Sequence, residues 1–154
     1  MMEVFEKIAA ELTSDVRDVF ADMAFLDVMP PPEGAEMREI DGPWALIEVR
    51  GTVNGQLVLM LPLELKKALI ESIYSEPWDE LEGDKKDDGL LEVLNVVAGK
   101  FTSGYERTDG FLKLTIPTVI FGTDDLPDKA PEVDLIQDAE GTLFRIQFFA
   151  SEAR

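Results

Sequence analysis

Along residues 3–26 the apolar positions Val4, Phe5, Ile8, Leu12, Val16, Val19, Phe20 and Met23 recur every three or four residues. That spacing keeps one side of an α-helix apolar and predicts a first helix over 3–26. Thr13-Ser14-Asp15 could cap a second helix inside the span, so one helix or two fit the pattern. Three prolines in Met29–Gly34 stop it, because proline lacks an N–H and restrains the residue before it.

From Trp44 the period changes. Residues 44–61 are rich in β-branched and large apolar side chains, split by Asn54-Gly55. This predicts strands 44–52 and 57–61, turning at Asn54-Gly55 with both residues at positive φ. A helix follows over 62–75, with Pro62 near its start and Leu65, Leu69 and Ile73 facing inward. Residues 76–86 read as an acidic loop around Pro77 and Trp78, and a long helix runs from about 87 to 104 or slightly beyond. Residues 111–122 form a strand region interrupted by Pro117, which confines that point to a strand end, edge or bulge. A loop over Asp124–Pro131 leads to a second hairpin over 133–149 that turns near Glu140-Gly141. Hairpin connections dominate, so the expected fold class is α+β, a mainly antiparallel sheet packed with helices. One domain is expected over 1–154, its core in about 43–149.

The helix from Asp87 is nearly all Leu, Val, Ala and Phe, yet it carries Glu92 and Asn95. At about 100° per residue, measured from Asp88, Glu92 falls near +40°, Asn95 near −20° and Gly99 near +20°. The four form one narrow strip, so Glu92 and Asn95 are expected to point together at solvent or at a partner. Glycine costs about 1 kcal/mol in a helix interior. Gly99 therefore calls for close packing within the fold or for room beside Asn95 for another molecule.

Composition narrows the chemistry. Apolar residues make up 45% of the chain, too many for disorder. No stretch approaches the roughly 18 apolar residues of a membrane span. The N-terminus lacks the basic region of a signal peptide, so a cytoplasmic location is expected. There is no cysteine and no histidine. Disulfides, thiol nucleophiles, His-based triads and the usual zinc sets are thereby excluded. The net charge of −18 argues against nucleic acid and anionic membranes as partners. Most of the acids read as solvated loop residues, including Asp124, Asp125 and Asp128, whose spacing does not fit an EF-hand loop. Thr102 and Ser103 have no partner base. Trp44 reads as core, and Trp78 could flank a docking surface.

Asp88-x-x-x-Glu92-x-x-Asn95-x-x-x-Gly99, followed by Pro117, resembles the signature of the CheC/CheX family of chemotaxis phosphatases. The hairpin over 47–62 and the Pro-Thr-Val-Ile segment at 117–120 are similar too, and the order of elements follows the family over 13–149. The motif occurs once, which resembles the CheX branch. The resemblance implies a phosphatase acting on the aspartyl phosphate of a CheY-like receiver. Asn95 would hold the attacking water and Glu92 would pair with a receiver lysine. Asp88, Gly99 and Pro117 would shape the partner-binding face. It also implies no cofactor of the chain's own, Mg²⁺ supplied by the receiver, and a homodimer. Two other readings stay open: a non-catalytic receiver-binding scaffold, and a structural or small-ligand module with a merely solvated strip.

Overall fold

The computed structural model describes residues 2–151. Its elements are α1 (Met2–Ala24), β1 (Val28–Met29), β2 (Trp44–Gly51), β3 (Gly55–Met60), α2 (Leu63–Tyr74), α3 (Gly83–Asp109), β4 (Leu112–Leu114), β5 (Thr118–Ile120), β6 (Val133–Ala139) and β7 (Thr142–Ala150). The seven strands form one antiparallel sheet in the order β1-β6-β7-β3-β2. β4 and β5 share the outer edge of β2: β4 pairs with Val49–Gly51 and β5 with Trp44–Leu46. The fold is α+β, as the pattern implies.

Strand alternation sorts the side chains into two apolar layers. Ala45, Ile47, Val49, Leu57, Leu59, Phe144, Ile146 and Phe148 face the helices and form the main core with them. Phe20 of α1 stacks on Phe144 of β7 with ring centroids 4.8 Å apart. Trp44, Leu46, Val58, Met60 and Phe149 point to the opposite face, where Ile40 and Ile120 complete a smaller cluster. Trp44 is thus a core residue, 6% exposed.

Several boundaries differ from expectation. α1 is one continuous helix, because the Thr13 hydroxyl donates to the Ala9 carbonyl at 2.8 Å instead of capping a new start. α3 begins at Gly83 rather than near 87 and runs to Asp109. Its first turn is glycine and charge, which carries no apolar period. The β2–β3 connection is residues 52–54, so Asn54 lies in the turn but Gly55 already opens β3. Gly51 has φ +139°, while neither Asn54 nor Gly55 has positive φ. Gly55 already pairs with Val49 and Ala150. Its glycine serves close approach: a Cβ there would lie 2.4 Å from the Phe149 carbonyl oxygen. At the other hairpin Glu140 and Gly141 do take positive φ.

α1 and α3 meet across a cluster of acids. Asp15 is 3% exposed and its Oδ2 is buried without a hydrogen-bond partner. The Glu11 carboxylate lies where a Cβ on Gly104 would be, 2.5 Å from that position. Lys100 of α3 sits 3.6 Å from Asp18. Burial pushes the Asp15 carboxyl up to about 7, helped by its hydrogen bond to Glu11 and by the Glu11 charge, with Lys100 opposing.

Candidate functional site

α3 is buried around most of its circumference: Leu90, Val93, Leu94, Val97, Ala98 and Phe101 are 0–1% exposed. The polar strip lies on the remaining side. Asp88, Glu92 and Asn95 are exposed and Gly99 is half-buried. Glu92 and Asn95 make no hydrogen bond or ion pair within the described residues. One helical turn apart, their Cβ atoms lie roughly 5–6 Å from each other. The site offers an acceptor-only carboxylate beside an amide that both donates and accepts.

The glycines of α3 separate into two kinds. A Cβ on Gly89 would meet Ile70 of α2 at 2.8 Å, and one on Gly104 would meet the Glu11 carboxylate of α1. Both are glycines because a neighbouring helix comes close. At Gly99 a Cβ would meet nothing within 4 Å. Packing within the chain therefore does not explain Gly99, and its missing side chain leaves open space beside Asn95. Gly99→Ala should raise stability by about 1 kcal/mol, through helix propensity alone. Gly89→Ala should lower it. Urea midpoints of the two variants check the contrast, and a loss in Gly99→Ala would mean that Gly99 packs internally after all.

Asp88 lies on the strip but not at the helix start. With α3 beginning at Gly83 it is beyond the first turn, where the helix dipole acts. That role falls to Asp84. Pro117 stands between β4 and β5, where the edge strand breaks. Thr115 keeps the ladder going up to that point through its backbone N–H and its hydroxyl, both bonded to Glu48.

The 111–121 segment runs back along α3. Its start is tied to the end of the helix by the Leu112 N–H donating to Glu106. Its far end pairs with Trp44, next to Pro43, whose carbonyl accepts from Lys66 at 3.1 Å. Lys66 faces Asp87 near the helix start, and burial lowers its amine despite that acid. Phe111, Ile116 and Phe121 of this segment are exposed by 60%, 85% and 74%, and Val96 of α3 by 37%. Sequence reasoning did not pick out these apolar residues, although Ile116 directly before Pro117 is the available signal. Trp78 is half-buried under Lys86, whose ammonium lies 4.7 Å from the ring centroid.

Among the described residues no group of three acidic side chains is placed to hold a metal ion. No described helix is long and apolar enough to cross a membrane.

A family model described as chemotaxis phosphatase CheX matches residues 44–134, more than half of the chain. No curated protein matches by sequence. Among solved structures, a chemotaxis protein CheX from Desulfovibrio desulfuricans superposes with a TM-score of 0.75 at 16% identity, over 94% of this chain and 99% of that one. CheX in a CheX–CheY–BeF3–Mg²⁺ complex from Borrelia burgdorferi superposes with a TM-score of 0.70 at 16% identity, over 93% and 97%. FliY from Thermotoga maritima superposes at 0.61 and 15% identity, over 97% and 90%. At these identities the superpositions establish the fold.

Proposed function

The chain belongs to the CheX family of chemotaxis phosphatases, and from that premise we propose that it hydrolyses the aspartyl phosphate of a CheY-like receiver, using Asn95 and Glu92. The observation that carries this reading is the exposed, unpartnered Glu92–Asn95 pair beside a glycine that faces open space. Phosphoryl transfer depends on positioning and charge stabilisation more than on covalent help. The Asn95 amide oxygen accepts a hydrogen bond from a water and holds it in line with phosphorus, while its NH₂ donates elsewhere. The water adds to phosphorus, the receiver's aspartate leaves as carboxylate, and inorganic phosphate departs. Glu92 pairs with a lysine of the receiver and fixes the register of docking. Asp88 adds a carboxylate one turn earlier, Gly99 leaves room for the partner, and Pro117 shapes the edge that carries Ile116.

Mg²⁺ belongs to the receiver in this scheme. The Borrelia relative was crystallised with CheY, BeF3 and Mg²⁺, and a CheY-like partner is carried over to this chain as part of the proposal. A net charge of −18 gives no long-range attraction toward an acidic phosphorylation site. Docking then rests on short-range contacts, for which Val96, Ile116 and Phe121 supply apolar area. We place the protein in the cytoplasm with its receiver, as a homodimer of twice the 17.2 kDa chain mass.

The test is phosphate loss from a phosphorylated CheY-like receiver of the same organism, with Mg²⁺, with and without the protein. Wild type should speed the loss at least tenfold, about 1.4 kcal/mol of barrier. Glu92→Lys, which sets a cation against the receiver lysine, should abolish the effect. Phosphorylation-dependent binding without faster loss would make the protein a scaffold instead. Neither binding nor faster loss would sink the reading for the receivers tried.

A further inference from the structure

On the sheet face away from the helices a cleft of about 660 Å³ opens beside the smaller apolar cluster. Trp44 and Phe149, both buried, form its floor together with Met60. Residues 39–40 wall one side and the 123–131 segment the other. Ligand-binding cavities commonly hold about 300–1,000 Å³.

Its polar lining is unsatisfied in a particular way. Arg145 and Gln147 alternate along β7 and so share this face. Gln147 is 8% exposed, and its amide makes no hydrogen bond within the described residues. Its amide atoms are not cut off from solvent, so they are open to a ligand rather than held by the fold. On the neighbouring strand, Gln56 has its Oε1 buried without a partner. It lines an adjoining cleft that shares Pro127 and Phe149 with the first.

The charges are equally lopsided. Arg145 lies 2.9 Å from Asp134, and Lys129 lies 3.1 Å from Glu132, so both cations of the lining are matched. Glu39, Asp124 and Asp128 also line the cleft, and no cation pairs with them within the described residues. The result is an apolar floor, an amide with no protein partner in the lining, and an uncompensated negative rim.

We propose that this cleft binds a small organic amine with an apolar or aromatic body and a hydroxyl or carbonyl at its far end. The body rests on Trp44, Met60 and Phe149. The far polar group satisfies Gln147, and the ammonium faces Asp124, Asp128 and Glu39. The site lies on the opposite face of the sheet from the Glu92–Asn95 strip and does not depend on the phosphatase reading.

The test uses the full chain and four probes: tyramine, phenethylamine, 2-(4-hydroxyphenyl)ethanol and 3-(4-hydroxyphenyl)propionate. The two tryptophan indole N–H signals serve as reporter and control in a ¹H–¹⁵N spectrum, assigned with Trp78→Phe. Tyramine should shift the Trp44 signal saturably and leave Trp78, on the helix side, in place. The alcohol and the acid should bind at least about tenfold more weakly than tyramine, about 1.4 kcal/mol. The double change Asp124→Asn, Asp128→Asn should weaken tyramine by a similar factor, with the difference shrinking at high salt. Gln147→Leu should weaken tyramine but not phenethylamine. No saturable Trp44 shift would overturn the proposal, as would equal binding of the amine and the acid or indifference to the loss of the rim carboxylates.

Discussion

Asn95→Ala should bring phosphate loss from the receiver back to its spontaneous rate, a fall of at least about tenfold from wild type, while the protein keeps its stability. The two halves have separate causes. Asn95 is exposed and has no partner within the fold, so truncation removes no contact. Alanine is the better helix former, and the net change should lie within about 0.5 kcal/mol of wild type. Catalysis is affected differently, because a water no longer held in line loses the advantage of a fixed approach. A displacement of about 1 Å costs on the order of a hundredfold. Asn95→Gln should therefore fail as well, since one added methylene moves the amide away. Asn95→Asp keeps the acceptor but sets a negative charge near the phosphoryl group, and it should not rescue turnover. Glu92→Gln should mainly raise KM, because it weakens docking rather than the placement of water. Single-turnover phosphate release and urea unfolding of the same preparations read both quantities. If Asn95→Ala retained wild-type turnover, the strip would be a solvated helix face and nothing more.

The exposure of that strip was legible because helical period is a local property. Asp88, Glu92, Asn95 and Gly99 share a side of α3 whatever the rest of the chain does, and the apolar positions around them had to go inward. The role of the space at Gly99 was not legible, since Gly89, Gly99 and Gly104 look alike until their neighbours are known. The sheet shows the same division. Alternation in β7 sorted Phe144, Ile146 and Phe148 from Arg145 and Gln147 directly. β1 was missed, because Val28 and Met29 are a strand only through Ala139 and Asp138, more than a hundred residues later. The Asn54-Gly55 signal found its hairpin but misplaced the turn, since Gly55 answers to Phe149 on another strand. The start of α3 at Gly83 was hidden because its first turn is solvated and has no apolar period. The cleft over β3 and β7 is assembled from segments far apart in the chain, and no local pattern announces it. Asp15 looked like a polar residue in a cap-like triplet and is instead a buried acid between two helices.

That buried acid should make Asp15→Asn more stable than wild type, with a gain that grows as pH rises. The folded Asp15 carboxyl titrates near 7, against 3.8 for an unperturbed one, mainly because burial disfavours its charge. A group whose folded pKa is raised holds its proton longer in the folded state. Its full stability is present below about pH 4 and is lost progressively as pH rises toward about 7, after which the loss stays constant. The slope in that window is about 1.4 kcal/mol per pH unit, so the whole loss is on the order of 4 kcal/mol. Asparagine carries no charge and can still donate to Glu11 from its NH₂. Urea unfolding at pH 5.5 and pH 8 should therefore show a gain at both, larger by about 2 kcal/mol at the higher pH. The difference matters more than either curve alone. A chain at −18 also gains self-repulsion as pH rises, and comparing variant with wild type cancels nearly all of it. A gain that did not vary with pH would mean that Asp15 is already ionised at pH 5.5. A loss at pH 8 would mean that its charge is compensated in the fold, with Lys100 the nearest candidate.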